Sequence, residues 1–195
     1  MDGGEPVELS DSQRQTLLEL ARGAIVDGVA GGEKPEPELA EFDEALGRPG
    51  ASFVTISRHG SLRGCVGSLE AKQPLVVDVA RNAWSSALRD PRFSPLEPGE
   101  LDDLAISISV LGPSEPLECR TEADLLAQLK PGVDGLVLEE ADRRATFLPS
   151  VWQKIPDPAE FLVHLKRKAG LADDYWSESV RFERYEVESW GESSR

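Results

Sequence analysis

The segment Ser61-Leu62-Arg63-Gly64-Cys65-Val66-Gly67 constrains this chain more than any other. It follows the β-rich run Phe53-Val54-Thr55-Ile56-Ser57 and the turn residues His59-Gly60, so the two runs predict a β-hairpin. Side chains of an extended strand alternate between faces. Strict alternation puts Arg63, Cys65 and Gly67 on one face and Leu62, Gly64 and Val66 on the other. Leu62 and Val66 then face a core. Gly64 and Gly67 leave room for something to approach. A cation beside a thiol favours the thiolate, the nucleophilic form. The bland alternative is that Cys65 packs as a small apolar residue, as free cysteines commonly do.

Elements on either side follow the same logic. Ser10 and Gln13 have capping-box spacing, and Leu17, Leu20, Ala21, Ala24 and Ile25 recur at helical spacing, predicting a helix over 11–28. Pro74 opens a second helix whose apolar stripe runs Leu75, Val76, Val79, Ala80, Ala83, Trp84 and Ala87. It stops before Pro91. Residues 104–111 alternate as a strand, with Ser107 and Ser109 opposite Ile106 and Ile108. The same order then recurs. Leu136-Val137-Leu138 and Ala145-Thr146-Phe147-Leu148 form a second hairpin, a helix starts at Asp157-Pro158, and a strand runs from Val180 to Val187. Counting along the chain, the second-half position matching Cys65 is Leu148. The fold class expected is α+β: two hairpin-plus-helix repeats around a barrel-like mixed sheet, with an N-terminal helix. Residues 10–192 read as a single domain between tails at 1–9 and 193–195.

Composition limits the functions open to such a chain. The formal net charge is −15, and the longest basic cluster is Lys166-Arg167-Lys168. That balance argues against nucleic acid and anionic membranes as partners. No apolar run approaches the ~18 residues of a membrane span, and the acidic start lacks signal-peptide character. Two cysteines, distant in sequence, suit reduced thiols in a cytoplasmic protein.

Several side chains are candidates for chemistry. Cys65 is the candidate nucleophile, with Arg63 to activate it or bind an anion. Asp90 is the candidate partner that fixes the Arg63 guanidinium. Arg92 and Ser107 are candidates to line the same pocket, and Gly64 and Gly67 to admit a substrate or partner. The two histidines, His59 and His164, are weak candidates for a base. They show no ligand spacing with other residues, so neither a metal nor a cofactor is expected. Cys119, in a polar segment, reads as incidental.

The motif Leu62-Arg63-Gly64-Cys65-Val66-Gly67 resembles the marker of the AMMECR-type domain family. Asp90-Pro91-Arg92-Phe93, Leu148-Pro149-Ser150-Val151-Trp152, and Lys168-Ala169-Gly170-Leu171 with Trp176 support the resemblance in the expected order. Val66 departs from the isoleucine commoner in the family. The resemblance covers about Leu17 to Glu192. It implies the A component of an AmmeMemoRadiSam system, whose partners would be a Memo-type protein and a radical SAM enzyme. It implies no established reaction. Two functions stay open: a catalytic component using Cys65 as nucleophile or covalent carrier, and a non-catalytic adaptor docking a partner through the Arg63–Gly67 surface.

Overall fold

A computed structural model describes residues 9–192. In chain order its elements are α1 (Asp11–Val29), β1 (Pro49–Gly50), β2 (Ser52–Arg58), β3 (Ser61–Gly67), β4 (Gln73–Pro74), α2 (Leu75–Leu88), β5 (Leu104–Leu111), β6 (Glu115–Pro116), α3 (Glu122–Gln128), β7 (Gly135–Glu140), β8 (Arg143–Phe147), α4 (Pro158–Lys168), β9 (Arg181–Tyr185) and β10 (Val187–Gly191). Short 3₁₀ turns join several of them. The fold is α+β. Among the described residues the strands close no barrel. The strands make sheets of two, four and four strands instead, with antiparallel pairing of β1 with β4, β2 with β3 and β5, β6 with β9, and β7 with β8 and β9. No described helix is long and apolar enough to cross a membrane.

The described chain forms two compact units, one of residues 112–187 and one of residues 9–111 with residues 188–192. Of the expected tails, residues 1–8 and 193–195 lie outside the described residues. Leu9 does not belong to a tail, because it is buried in the core.

The first unit has a sheet in the order β10-β5-β2-β3. Val54 and Ile56 of β2 and Ile106 and Ile108 of β5 face α1 and α2, whose Leu17, Ala21, Ile25, Val76, Val79, Ala80 and Ala83 complete one core. Ser10 caps α1 as its spacing predicts, accepting from the Gln13 amide while the Gln13 side chain accepts from Ser10. Trp84, expected in the buried stripe, is only half-buried. Its ring lies against Gly28, where a Cβ would come within 2.7 Å, and carries the Arg89 guanidinium 5.4 Å from its centroid.

The second unit has the order β6-β9-β7-β8. In each unit the later strand pairs with the first strand of the hairpin, opposite the second, so the repeat read from sequence is a repeat of topology. The counted match to Cys65 is displaced, because Leu148 lies beyond β8. By face, Val54 and Ile56 correspond to the buried Leu136 and Leu138. The position matching Cys65 is then Thr146, whose hydroxyl bonds the Leu136 carbonyl and Tyr185.

The β2–β3 hairpin turns through His59 and Gly60, both at positive φ (50° and 76°), as a tight hairpin turn requires. Ser57 then pairs with Leu62, but Ile56 pairs with Gly64. Arg63 is therefore a bulged extra residue, and alternation is interrupted there. Leu62 is not turned to the core. It lies opposite Ser57 and is 44% exposed. Gly64 and Val66 face the helix side, as expected. A Cβ on Gly64 would sit 2.2 Å from the Ser86 carbonyl oxygen of α2. We expect Gly64→Ala to destabilise the fold by about 2–3 kcal/mol, since backbone rather than a flexible side chain must move. Gly99→Ala, with nothing within 4 Å of its Cβ, should stay within about 0.5 kcal/mol. Urea denaturation of the two variants measures the difference, and equal midpoints would contradict the close approach.

Candidate functional site

The site is built around the outer edge of β3. An edge strand has N–H and C=O groups with no neighbouring strand to bond. Here side chains supply the partners. The Cys65 amide donates to Asp90 Oδ2 at 2.8 Å, and the Cys65 carbonyl accepts from Arg92 Nη2 at 3.0 Å. Arg92 also donates to Asp90 through Nε (2.9 Å), Nη2 (2.6 Å) and its backbone amide (3.1 Å). The Asp90 side chain is 2% exposed and that of Arg92 53%. The pair thus bonds the backbone of Cys65 much as a neighbouring strand would.

Helix α2 holds the same strand from the other side. Ser86 Oγ accepts from the Val66 amide and donates to the Val54 carbonyl, both at 2.8 Å. It bridges a register pair of β2 and β3. One turn earlier, Asn82 donates to the Ser52 carbonyl and to Asp78. Buried Asp78 accepts from the amide and hydroxyl of Ser52, from Ser68 and from Gln73. Asp78, Asn82 and Ser86 share one helical face at four-residue spacing. Polar residues recurring inside an apolar stripe were the sequence signal for this network.

The thiol is half-buried and accepts from Thr55 Oγ1 at 3.3 Å. The cation beside Cys65 is Arg92, which reaches the Cys65 carbonyl and which its bonds to Asp90 keep charged against partial burial. Arg63 does not take that role. Its Nε and Nη2 bond Glu100 at 2.8 and 2.9 Å, Nη1 donates to the Ser94 carbonyl and Nη2 also to that of Pro95. Asp90 accordingly orients Arg92, not Arg63. The Phe93 ring lies near both guanidiniums, 6.0 Å from Arg63 and 5.5 Å from Arg92.

The remaining candidates separate. The room at Gly64 is taken by Ser86, and that at Gly67 by the Phe53 ring, which a Cβ would meet at 2.2 Å. Ser107 shares Thr55 as a register partner with Cys65, one strand further across. It lines a separate cleft of about 790 Å³ with Ser57, His59 and Asp103. His59 Nε2 lies 3.7 Å from Asp103. His164 belongs to α4, in the other unit, and is exposed. Among the described residues, no three His, Cys, Asp or Glu side chains group as metal ligands. Thr55 and Glu100 were missed at the sequence level. Thr55 was legible from the hairpin register, whereas Glu100 depends on how the loop after Phe93 returns.

The AMMECR1 family model matches residues 18–190, so the chain belongs to that family. A protein of Methanothermobacter thermautotrophicus is 36% identical over 193 residues, covering 94% of this chain and 96% of its own. One of Aeropyrum pernix is 36% identical over 199 residues, covering 97% and 83%. A crystal structure of a Pyrococcus horikoshii protein superposes with a TM-score of 0.86 at 33% identity, covering 95% of this chain and 94% of that one.

Both site carboxyls are held low. The Asp90 carboxyl lies well below its ordinary 3.8 through its bonds to Arg92, and further through the Cys65 and Arg92 amides. Glu100 is lowered from 4.5 to about 2, first by Arg63 and then by the Glu97 amide. The stability they contribute is complete above their ordinary values and is lost as pH falls through the lowered ones. The folded state should therefore weaken as pH falls from about 4.5 toward 2. Asp90→Asn and Glu100→Gln should each be less stable at pH 7 and show a shallower loss on acidification. Urea titrations across that range provide the check, and a wild-type slope retained in both variants would count against these pairs.

Proposed function

We propose that the working centre of this chain is Cys65, used as a nucleophile or covalent carrier in a modification reaction. The observation that carries this reading is the double restraint on the Cys65 backbone by Asp90 and Arg92, with a hydroxyl donor from Thr55 at the sulfur. Such restraint holds the sulfur in one place beside a cation, as a reacting thiol needs. The resemblance to AmmeMemoRadiSam components supports a place as the A component beside a Memo-type protein and a radical SAM enzyme.

The adaptor reading has its own support. Leu62 and Leu69, near the two ends of β3, are 44% and 40% exposed, as a docking surface would require. Reconstitution with the two partner proteins separates the readings. Cys65→Ser should fold and abolish product formation, followed by mass spectrometry of small molecules and modified residues. Full activity in Cys65→Ser, with loss in Leu62→Glu, would replace the thiol reading with the adaptor.

Thiol reactivity offers a simpler measurement. Burial first, then Asp124 and Glu118, raises the pKa of Cys119. A neutral thiol reagent at pH 7 should therefore label Cys65 before Cys119, as read by peptide mass spectrometry. Labelling in the reverse order would sink the reading.

A further inference from the structure

The Arg92 guanidinium has capacity that the fold does not use. Nε and Nη2 are committed to Asp90 and to the Cys65 carbonyl. The bonds to Asp90 and to the Cys65 carbonyl leave Nη1 out, and half of the side chain is exposed. A guanidinium held by a fork on a buried carboxylate is already oriented, so little side-chain freedom is lost when it takes up another group. Arg63, the other cation beside Phe93, is occupied by Glu100 and two carbonyls. One oriented donor group is therefore left beside the thiol.

We propose that Arg92 Nη1 receives a carboxylate of the molecule on which Cys65 acts. This rests on the reading of Cys65 as the reacting thiol. A singly charged carboxylate suits the position better than a phosphate dianion, because the Asp90 carboxylate shares the same guanidinium and would repel the larger charge. The flat Phe93 ring beside Arg92 adds an apolar wall.

Matched methanethiosulfonate reagents test the proposal, each transferring its alkylthio group to the thiolate with loss of methanesulfinate. The 2-sulfonatoethyl reagent stands in for the anion, the 2-(trimethylammonio)ethyl reagent is its cationic counterpart, and the methyl reagent is neutral. At Cys65 the anionic-to-cationic rate ratio, after correction by the same ratio at a free small thiol, should fall about fivefold in Arg92→Gln, the effect of losing one exposed charge partner. Arg92→Lys should keep part of it. If Arg92→Gln does not fold, Asp90→Asn/Arg92→Gln removes both partners together and takes its place. A ratio unchanged by loss of Arg92 overturns the anion site while leaving the thiol reading intact.

If the methyl reagent fails to label Cys65 in the folded protein, the thiol reading falls instead. The anion site is then read on Cys65→Ser by titrating sodium acetate against sodium chloride. The Arg92 Nε–H resonance and the residue 65 amide should shift saturably with acetate and not with chloride. Absence of that shift overturns the proposal, and a stronger response to inorganic phosphate overturns the choice of carboxylate.

Discussion

One carboxylate, on Asp90, holds the edge of the first sheet in place. It sits almost wholly out of solvent, yet it takes bonds from the Cys65 amide and from three donors of Arg92. A buried charge is stable only when so surrounded. Without it the Cys65 amide would lack an acceptor, and Arg92 would lose the contact that aims it at the Cys65 carbonyl. Backbone order, charge placement and the setting of the thiol all pass through this side chain.

Helix α2 performs the matching task on the inner side. Its polar row of Asp78, Asn82 and Ser86 reaches the start of β2, the end of β3 and the pairing between them. The Val66 amide meets Ser86 and the Cys65 amide meets Asp90, so consecutive groups of β3 are held from opposite directions. A strand secured this way has little freedom to twist or slide, which explains how a half-buried thiol keeps a defined position without being sealed in the core.

Much of this was legible in the sequence. The hairpin, the bounds of α2 and β5, and the repeated order all followed from period and turn residues, because local spacing decides them. Pairing Asp90 with the wrong arginine had a physical cause. Arg63 and Cys65 are two residues apart, and strict alternation joins them, but the bulge breaks alternation and Glu100 captures Arg63 from a distant loop. The glycines misled for a similar reason. Missing side chains mark close approach, and here the approaching groups are Ser86 and Phe53 of the same chain. Trp84 was assigned to the core by its stripe, yet a helix face is wider than the surface that covers it, and the ring rests on Gly28 at the margin.

The bulge has a further meaning for how such a chain tolerates change. Because Leu62 already pairs with Ser57 and Gly64 with Ile56, Arg63 occupies a position that the ladder does not count. Trimming that one residue would leave the pairing of Cys65 in register but would remove the guanidinium that binds Glu100 and the Ser94 and Pro95 carbonyls. Two kinds of restraint thus meet within seven residues: the stretch from Gly64 onward is held by the ladder, and Arg63 by the loop that its guanidinium bonds.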